Sequence, residues 1–102
     1  MNNKELVYRI VKRIPEGKVL TYGALAKMAG IKNPRLVGSI LHQNPYSNVP
    51  CHRVVNFQGK VAETYAFGGG DAQKTKLENE GILFQNHKID LNQYLWKPEM
   101  IN

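Results

Sequence analysis

The stretch LTYGALAKMAGIKNPRLVGSILHQNP, residues 20–45, restricts the fold more than any other part of the chain. Thr21 is suited to cap a helix of about residues 22–29, because its hydroxyl can accept a hydrogen bond from a free N–H of the first turn. Gly30 is suited to the left-handed residue just past the end of that helix. The sequence therefore predicts a short helix with both ends defined.

A second short helix follows directly. Asn33 is a good N-cap, and Pro34 at the first helical position loses no hydrogen bond, so we predict a helix over residues 34–42. Two short helices joined by about four residues that include a glycine are typical of a helix-turn-helix. Spacing alone equally allows a helical hairpin within an ordinary core.

Glycine and proline residues mark the ends of the predicted elements on either side of these two helices. Apolar residues at three- and four-residue spacing predict a helix over residues 3–14, which Pro15 and Gly17 end. The segment VPCHRVVNFQGKV, residues 49–61, is rich in β-branched residues and predicts a brief strand or extended loop with a turn near Gly59.

The C-terminal part predicts one more helix and a small hairpin. Glycines 68–70 predict a flexible loop, after which Asp71 can cap a helix of residues 72–80 and Gly81 can end it. Two apolar runs around a polar turn in residues 82–98 indicate a hairpin or wing.

Length and composition agree with one small globular domain over residues 1–102. We predict an α/β fold that is mostly helical, with a winged helix-turn-helix core and short strands. No run approaches the roughly 18 apolar residues of a membrane helix, and charges interrupt the apolar positions of the N-terminus, unlike a secretory signal. We therefore expect a cytoplasmic protein without a membrane partner.

Charge and cysteine content bear on function. The formal net charge of +6 concentrates polyanions such as nucleic acid near the protein, although many basic proteins bind none. The single cysteine, Cys51, has no second thiol for a disulfide or a structural zinc site, which agrees with a reducing compartment. We predict no metal and no other cofactor.

Cys51 lies directly before His52 and Arg53. A thiol is a strong nucleophile only as the thiolate, and a nearby histidine or positive charge favours that form. Neighbouring side chains on an extended chain point to opposite sides, so a direct contact does not follow from the sequence, and a water could bridge sulfur and imidazole. The dipeptide also allows the plainer interpretation of a buried cysteine beside a surface histidine.

Several motifs together resemble one family. The stretch NPYSNVPCHRVV resembles the active-site segment of the DNA alkyltransferases that repair guanine alkylated on O6, whose signature is Pro-Cys-His-Arg-Val preceded by Asn-Pro. GKVLTYGALAKMAG is similar to that family's first motif helix, RLVGSILHQNP to its recognition helix, and LENEG to the end of its final helix. The resemblance covers most of the chain, with the motifs in order at nearly the expected spacings.

This resemblance implies a catalytic set. Cys51 would accept the alkyl group by in-line attack, forming a stable thioether, so each molecule would act once without a cofactor. His52 would act as a base through a water, and Glu80 would hold the imidazole in the required tautomer. Asn44 would brace the turn that carries the cysteine. Apart from the resemblance, Glu80 is a helix-end carboxylate and Asn44 a helix-ending residue.

The resemblance also implies a surface for double-stranded DNA containing O6-alkylguanine, bound by a monomer with little sequence preference. Arg35 would fill the gap left by a flipped nucleotide, and Tyr22 would push the phosphate and donate a proton to guanine N3. Gly38 and Ser39 would let the helix approach the minor groove closely, with His42 on the same DNA side. Ordinary alternatives are a surface arginine, a half-buried tyrosine and tight helix packing at the glycine.

The guanine pocket implied by the resemblance contains Pro50, Val54, Ala66 and Phe67. Here the sequence departs from the family, which usually has a tyrosine and then a small residue before its Gly-Gly pair. In YAFGGG those two places hold Ala66 and Phe67, and Tyr65 is displaced by one. The family pattern therefore does not predict the width of the pocket or the range of alkyl groups that it accepts.

Three functions follow from these patterns. The favoured function is single-turnover alkyl transfer, the activity of a methylated-DNA–protein-cysteine methyltransferase. The tail DLNQYLWKP resembles instead the short alkyltransferase-like proteins, which flag lesions for excision-repair proteins without transfer and usually lack the cysteine. The third function is a winged-helix transcription regulator in which Cys51 is incidental. Lesion preference separates the first two from the third.

Overall fold

Three helices form the first half of the structure, a computed structural model that describes residues 1–98. A capping side chain directly before each helix accepts a hydrogen bond from a backbone N–H of the first turn. The caps are Asn2, Thr21 and Asn33, and the helices are α1 (Asn3–Val11), α2 (Tyr22–Ala29) and α3 (Pro34–His42).

The predicted bounds of α2 and α3 are confirmed, including the left-handed Gly30 (φ 70°) after α2. The prediction for α1 was too long at its C-terminal end. Arg13 and Ile14 donate hydrogen bonds to carbonyls three residues back, so the chain tightens into a turn after Val11. Helix α1 packs against both α2 and α3.

A two-stranded parallel sheet joins this helical part to the middle of the chain. Strand β1 (Leu20–Thr21) pairs with β2 (Val54–Val55), with Leu20 opposite Val54. The sequence analysis did not predict β1, because two residues are too few to show alternation. Because the pairing is parallel, it places the start of α2 beside the segment that follows β2.

The extended conformation predicted around the cysteine is wrong for three residues. Cys51–Arg53 form a single 3₁₀ turn, in which the Arg53 N–H donates to the Pro50 carbonyl at 3.0 Å. The strand is limited to the two valines that follow. The predicted turn is confirmed, because Gly59 has φ 81° and its N–H donates to the Asn56 carbonyl.

Helix α4 (Gly69–Asn79) begins earlier than predicted. Its N-cap is Gly68 (φ 119°), so two of the three glycines are helical instead of loop, and Asp71 lies in the first turn instead of capping it. Gly70 is buried, and a Cβ there would lie 3.2 Å from a Val61 methyl group. Close packing therefore favours a glycine where the sequence pattern indicated flexibility, because a larger residue would have to displace the Val61 side chain.

The predicted C-terminal hairpin is confirmed, and a short helix that was not predicted follows it. Asn86 and His87 form the hairpin turn, both with positive φ. The elements are β3 (Phe84–Gln85), β4 (Lys88–Ile89) and α5 (Leu91–Tyr94), with β3 and β4 antiparallel.

Two hydrophobic clusters hold these elements together, and the fold class is the predicted one, mostly helical with short strands. The larger cluster lies among α1, α2 and α3 and extends to the Cys51 turn. The smaller cluster joins β2, the end of α4 and the hairpin through Val19, Val55, Leu77, Ile82, Ile89 and Tyr94. Within residues 1–98, none of the helices has the length and apolar character needed to cross a membrane.

Candidate functional site

The thiol of Cys51 is buried at the start of the 3₁₀ turn, with 4% of the residue exposed. The side-chain nitrogen of Asn44 lies 3.6 Å from the sulfur and also donates to the Tyr46 carbonyl. The Asn44 oxygen accepts from the Tyr46 N–H at 2.9 Å. Asn44 therefore closes the loop before the turn and contacts the sulfur directly.

Burial raises the pKa of the Cys51 thiol, because the low dielectric disfavours the thiolate. The hydrogen bond from Asn44, the thiol's own backbone N–H and the positive charge of Lys76 act in the opposite direction but do not cancel it. The free protein therefore holds a protonated thiol at neutral pH. A base near the sulfur would have to take its proton before the sulfur could act as a nucleophile.

The imidazole of His52 is held by Glu80, with Nε2 2.6 Å from a carboxylate oxygen. Burial lowers the pKa of His52, although the carboxylate partly offsets that effect. The ring is therefore neutral near pH 7. In the neutral ring, Nε2–H donates to Glu80 and Nδ1 keeps its lone pair, which is the tautomer a base requires.

Glu80 is the centre of a wider network. Its carboxylate accepts hydrogen bonds from the Arg53 guanidinium at 2.9–3.1 Å and from the Gly17 N–H at 3.1 Å. Burial by itself raises the pKa of Glu80, but the hydrogen bonds from Arg53, His52 and Gly17 outweigh burial and lower it. The carboxylate is thus ionised and fixed.

Arg53 has a role that the sequence analysis missed. The motif suggested a positive charge beside the thiol, whereas the guanidinium points to Glu80 and also donates to the Ile14 carbonyl at 2.8 Å. Arg53 thereby ties the turn to α4 and to the segment after α1. No local signal could reveal this, because Arg53 is 27 residues from Glu80 and 39 from Ile14.

Gln73 is a second residue that the sequence analysis missed. It is 1% exposed, and its amide nitrogen donates to the carbonyls of His52 and Val54 at 3.0 and 2.9 Å. Its amide oxygen accepts from the Ala62 N–H at 2.7 Å. The only sequence signal was a polar residue four positions before Leu77, on the buried face of α4.

An open groove of about 470 Å³ lies between the start of α2, α3 and the loop after β2, and it includes Tyr22, Arg35 and Gly38. Arg35 is exposed in the first turn of α3. Burial, with a smaller effect of Cys51, raises the pKa of Tyr22 to about 12, so its hydroxyl keeps its proton at neutral pH. The predicted flipping residues thus share one groove.

Gly38 has no packing partner that requires a glycine, since a Cβ there would meet nothing within 4 Å. Tight helix packing, the ordinary explanation of this residue, is therefore wrong. Ser39 and His42 are exposed on the same helix, and a ring nitrogen of His42 lies at hydrogen-bonding distance from the Thr64 carbonyl. This contact joins α3 to the loop on the other side of the groove.

The four residues predicted to line a pocket are placed differently. Pro50, Ala66 and Phe67 are partly exposed, whereas Val54 is fully buried. The side chain of Val54 belongs to the larger core cluster, so it is not accessible to a ligand. Among residues 1–98, no three His, Cys, Asp or Glu side chains are grouped to hold a metal ion.

This geometry agrees with the family that the sequence matches. The family model described as "6-O-methylguanine DNA methyltransferase, DNA binding domain" matches residues 2–82. The chain belongs to this family. The matched residues include the groove, the Cys51 turn and the whole Glu80 network.

Individual relatives fall into two groups. Alkyltransferase-like protein 1 of Schizosaccharomyces pombe is 39% identical over 90% of this chain and 92% of its own. The crystal structure of S. pombe Atl1 in complex with damaged DNA containing O6-carboxymethylguanine has a TM-score of 0.83, with 38% identity over 94% of this chain and 95% of that one. A DNA base-flipping protein of Vibrio parahaemolyticus is 43% identical over 90% of this chain and 93% of its own.

The relatives in the second group are named as methyltransferases. A methylated-DNA–protein-cysteine methyltransferase of Thermococcus kodakarensis is 40% identical over 78% of this chain, a match that covers 44% of that protein. The chain therefore resembles the short proteins over nearly their whole length and the transferase over less than half of its length.

Proposed function

We propose that this protein repairs DNA by transferring the alkyl group of an O6-alkylguanine to Cys51, after rotating the damaged nucleotide out of the double helix. The observation that carries this proposal is that one 3₁₀ turn holds both a thiol contacted by Asn44 and a neutral histidine whose Nε2 is bound to Glu80. A protein that only binds lesions has no need of a nucleophile with an oriented base beside it.

The chemistry follows from the protonation states of these groups. The raised pKa of Cys51 means that its proton must leave first, and Nδ1 of His52 is free to accept it through a water. The resulting thiolate attacks the alkyl carbon in line, forming an S–C bond while the C–O6 bond breaks. The departing guanine takes the electron pair of the C–O6 bond, and the Tyr22 hydroxyl donates a proton to N3. Tyr22 then regains a proton from solvent, to which the His52 imidazolium returns the proton taken from Cys51.

Delivery of the base depends on the groove. Arg35 extends from the exposed first turn of α3 and would occupy the space that the flipped nucleotide leaves in the stack. The open backbone at Gly38 would allow close approach to the minor groove, and the net charge of +6 supports phosphate contacts. Binding would then depend on salt and only weakly on sequence.

A second candidate is a protein that binds the same lesions and marks them for excision repair without transfer. Two observations favour it: the relatives that match over nearly their whole length are an alkyltransferase-like and a base-flipping protein, and the thiol is buried with a raised pKa. A transcription regulator, the third class, has no such support, because the matched family is named for a 6-O-methylguanine DNA methyltransferase.

One experiment separates these functions. The protein is incubated with duplex DNA containing a single O6-methylguanine, and intact and peptide masses are measured against an unmodified duplex. Transfer predicts one added methyl on the peptide that contains Cys51 and none with the unmodified duplex. An unchanged mass with binding selective for the lesion would replace transfer by the second candidate. An unchanged mass together with equal binding to both duplexes would contradict both.

A further inference from the structure

One face of α4 covers the Cys51 turn. Gln73 and Glu80 lie on this face and form hydrogen bonds to the backbone and side chains of residues 52–54. Lys76 is three residues after Gln73 and four before Glu80, a spacing that places all three on the same side of a helix. Lys76 therefore lies between the two residues that anchor the turn.

The ammonium group of Lys76 is held in place by aromatic side chains. Its Nζ donates to the Tyr65 hydroxyl at 2.6 Å and lies 5.0 Å from the centre of the Tyr65 ring and 5.3 Å from that of Phe67. The two rings pack edge to face, with centroids 6.0 Å apart. One N–H is used by Tyr65, so two donors of the ammonium are left for other partners.

The charge of Lys76 reaches the reacting groups. Next to the larger effect of burial, it lowers the pKa of both Cys51 and His52. The two rings that hold the ammonium are at the place where the sequence departs from the family pattern, the displaced Tyr65 and the Phe67 before the Gly-Gly pair. Tyr65 belongs to the same hydrophobic cluster as Cys51, and Phe67 packs against that cluster, so the two rings and the ammonium they hold belong to the surroundings of the sulfur.

We propose that Lys76 makes this site prefer O6-alkyl groups that end in a carboxylate over neutral groups of the same shape. A carboxylate on the alkyl group could accept a charge-assisted hydrogen bond from the ammonium, which a neutral group accepts more weakly. The rings of Tyr65 and Phe67 keep the ammonium in position, so little side-chain freedom is lost on binding. This inference rests on the proposed function, because it requires the lesion to lie beside Cys51.

The test compares affinities for two duplexes that differ only in charge, one with O6-carboxymethylguanine and one with its neutral amide, O6-carbamoylmethylguanine. Duplexes with O6-methylguanine and with guanine complete the set. Binding is measured in the full-length Cys51→Ala protein, so that transfer does not consume the lesion. Lys76→Met removes the charge, and Lys76→Arg retains it. Lys74→Met is the matched control, because Lys74 lies on the same helix over a different ring, Phe84.

We expect Lys76→Met to reduce the preference for the carboxylate over the amide about tenfold, and Lys74→Met to leave it unchanged. Lys76→Arg should keep most of the preference. Added salt should weaken the preference, because exposed ion pairs are screened. An equal preference in Lys76→Met and in the Lys74→Met control would overturn the inference while leaving the proposed function intact. Loss of all discrimination between O6-methylguanine and guanine in the parent protein would overturn both.

Discussion

The Cys51 turn and the groove between α2 and α3 are adjacent, but they differ in whether their side chains find partners within the protein. In the turn, His52 and Arg53 both bind Glu80, and within the described residues every buried side-chain nitrogen or oxygen has a hydrogen-bond partner. In the groove, Arg35 is exposed and the surface at Gly38 is open.

This difference indicates which interactions stabilise each region. A buried carboxylate, imidazole and guanidinium are stable only if they satisfy one another, so the turn must be complete before any substrate arrives. The groove instead carries a glycine in mid-helix, which costs about 0.5–1 kcal/mol relative to alanine and gains nothing within the protein. A partner outside the chain would account for that cost.

Replacement of the nucleophile gives the largest expected effect and separates the two regions most sharply. Cys51→Ala should abolish alkyl transfer, because no other thiol exists in the chain, while lesion binding through the groove persists. Mass spectrometry measures the first and fluorescence anisotropy with an O6-methylguanine duplex the second. Loss of binding together with transfer would show that the two regions do not act separately.

Disruption of the network should be the next largest effect. Glu80→Gln leaves the Arg53 guanidinium without its ionic partner in a site where the side chains are only 10–15% exposed. Breaking such a pair typically costs about 3 kcal/mol of unfolding free energy. Glu78→Gln removes the same charge from an exposed position of α4 and should stay within about 0.5 kcal/mol of the parent. Chemical denaturation measures both, and equal losses would contradict the proposed importance of the network.

The same variant has a defined pH dependence. The pKa of Glu80 is lowered from 4.5, so its ionised form stabilises the fold above that pH, and this stabilisation is lost as the pH falls through the folded value. The lowered pKa of His52 also costs stability below pH 6.5, where the unfolded chain takes up the proton first. Glu80→Gln should therefore lack the loss of stability below about pH 4.5 that the parent shows. Parallel acid curves for the two proteins would contradict this assignment.

Replacement of Arg35 tests the role of the groove separately from that of the Cys51 turn. Arg35→Ala should slow transfer from duplex DNA about tenfold, because flipping costs a few kcal/mol that the inserted side chain helps to offset. Reaction with the free base O6-methylguanine should be unchanged, since no flipping is needed. Lys88→Ala, in strand β4, removes the same charge away from the groove and controls for general loss of DNA affinity. An equal loss on both substrates would remove the flipping role from Arg35.

Replacement of Gly38 should give the smallest change in this series, and it separates the stability of the fold from DNA binding. Gly38→Ala should stabilise the protein by about 0.5–1 kcal/mol, because the added methyl group meets nothing and alanine favours the helix. The same change should weaken DNA binding if the backbone approaches the minor groove. Thr75→Ala, on the exposed side of α4, should stabilise similarly without affecting DNA. Unchanged binding in Gly38→Ala would mean that the open face serves another purpose.

The sequence by itself determined the ends of α2 and α3 and the adjacency of Cys51 and His52. Thr21, Gly30 and Asn33 fix helix ends through hydrogen bonds and backbone angles within three residues, and such local effects are visible in the sequence. The adjacency of Cys51 and His52 is likewise written in the chain. The motifs around them identified the family, which the comparison with known proteins confirmed.

Only the tertiary structure decided how these parts work together. The pairing of Arg53 with Glu80, the contact of Gly17 with the same carboxylate 63 residues away, and the Lys76 ammonium over Tyr65 have no local sequence signal. The early start of α4 and the burial of Val54 have the same origin, since both depend on neighbours distant in sequence. Local propensities act over a few residues, whereas burial and charge pairing are settled only when distant segments meet.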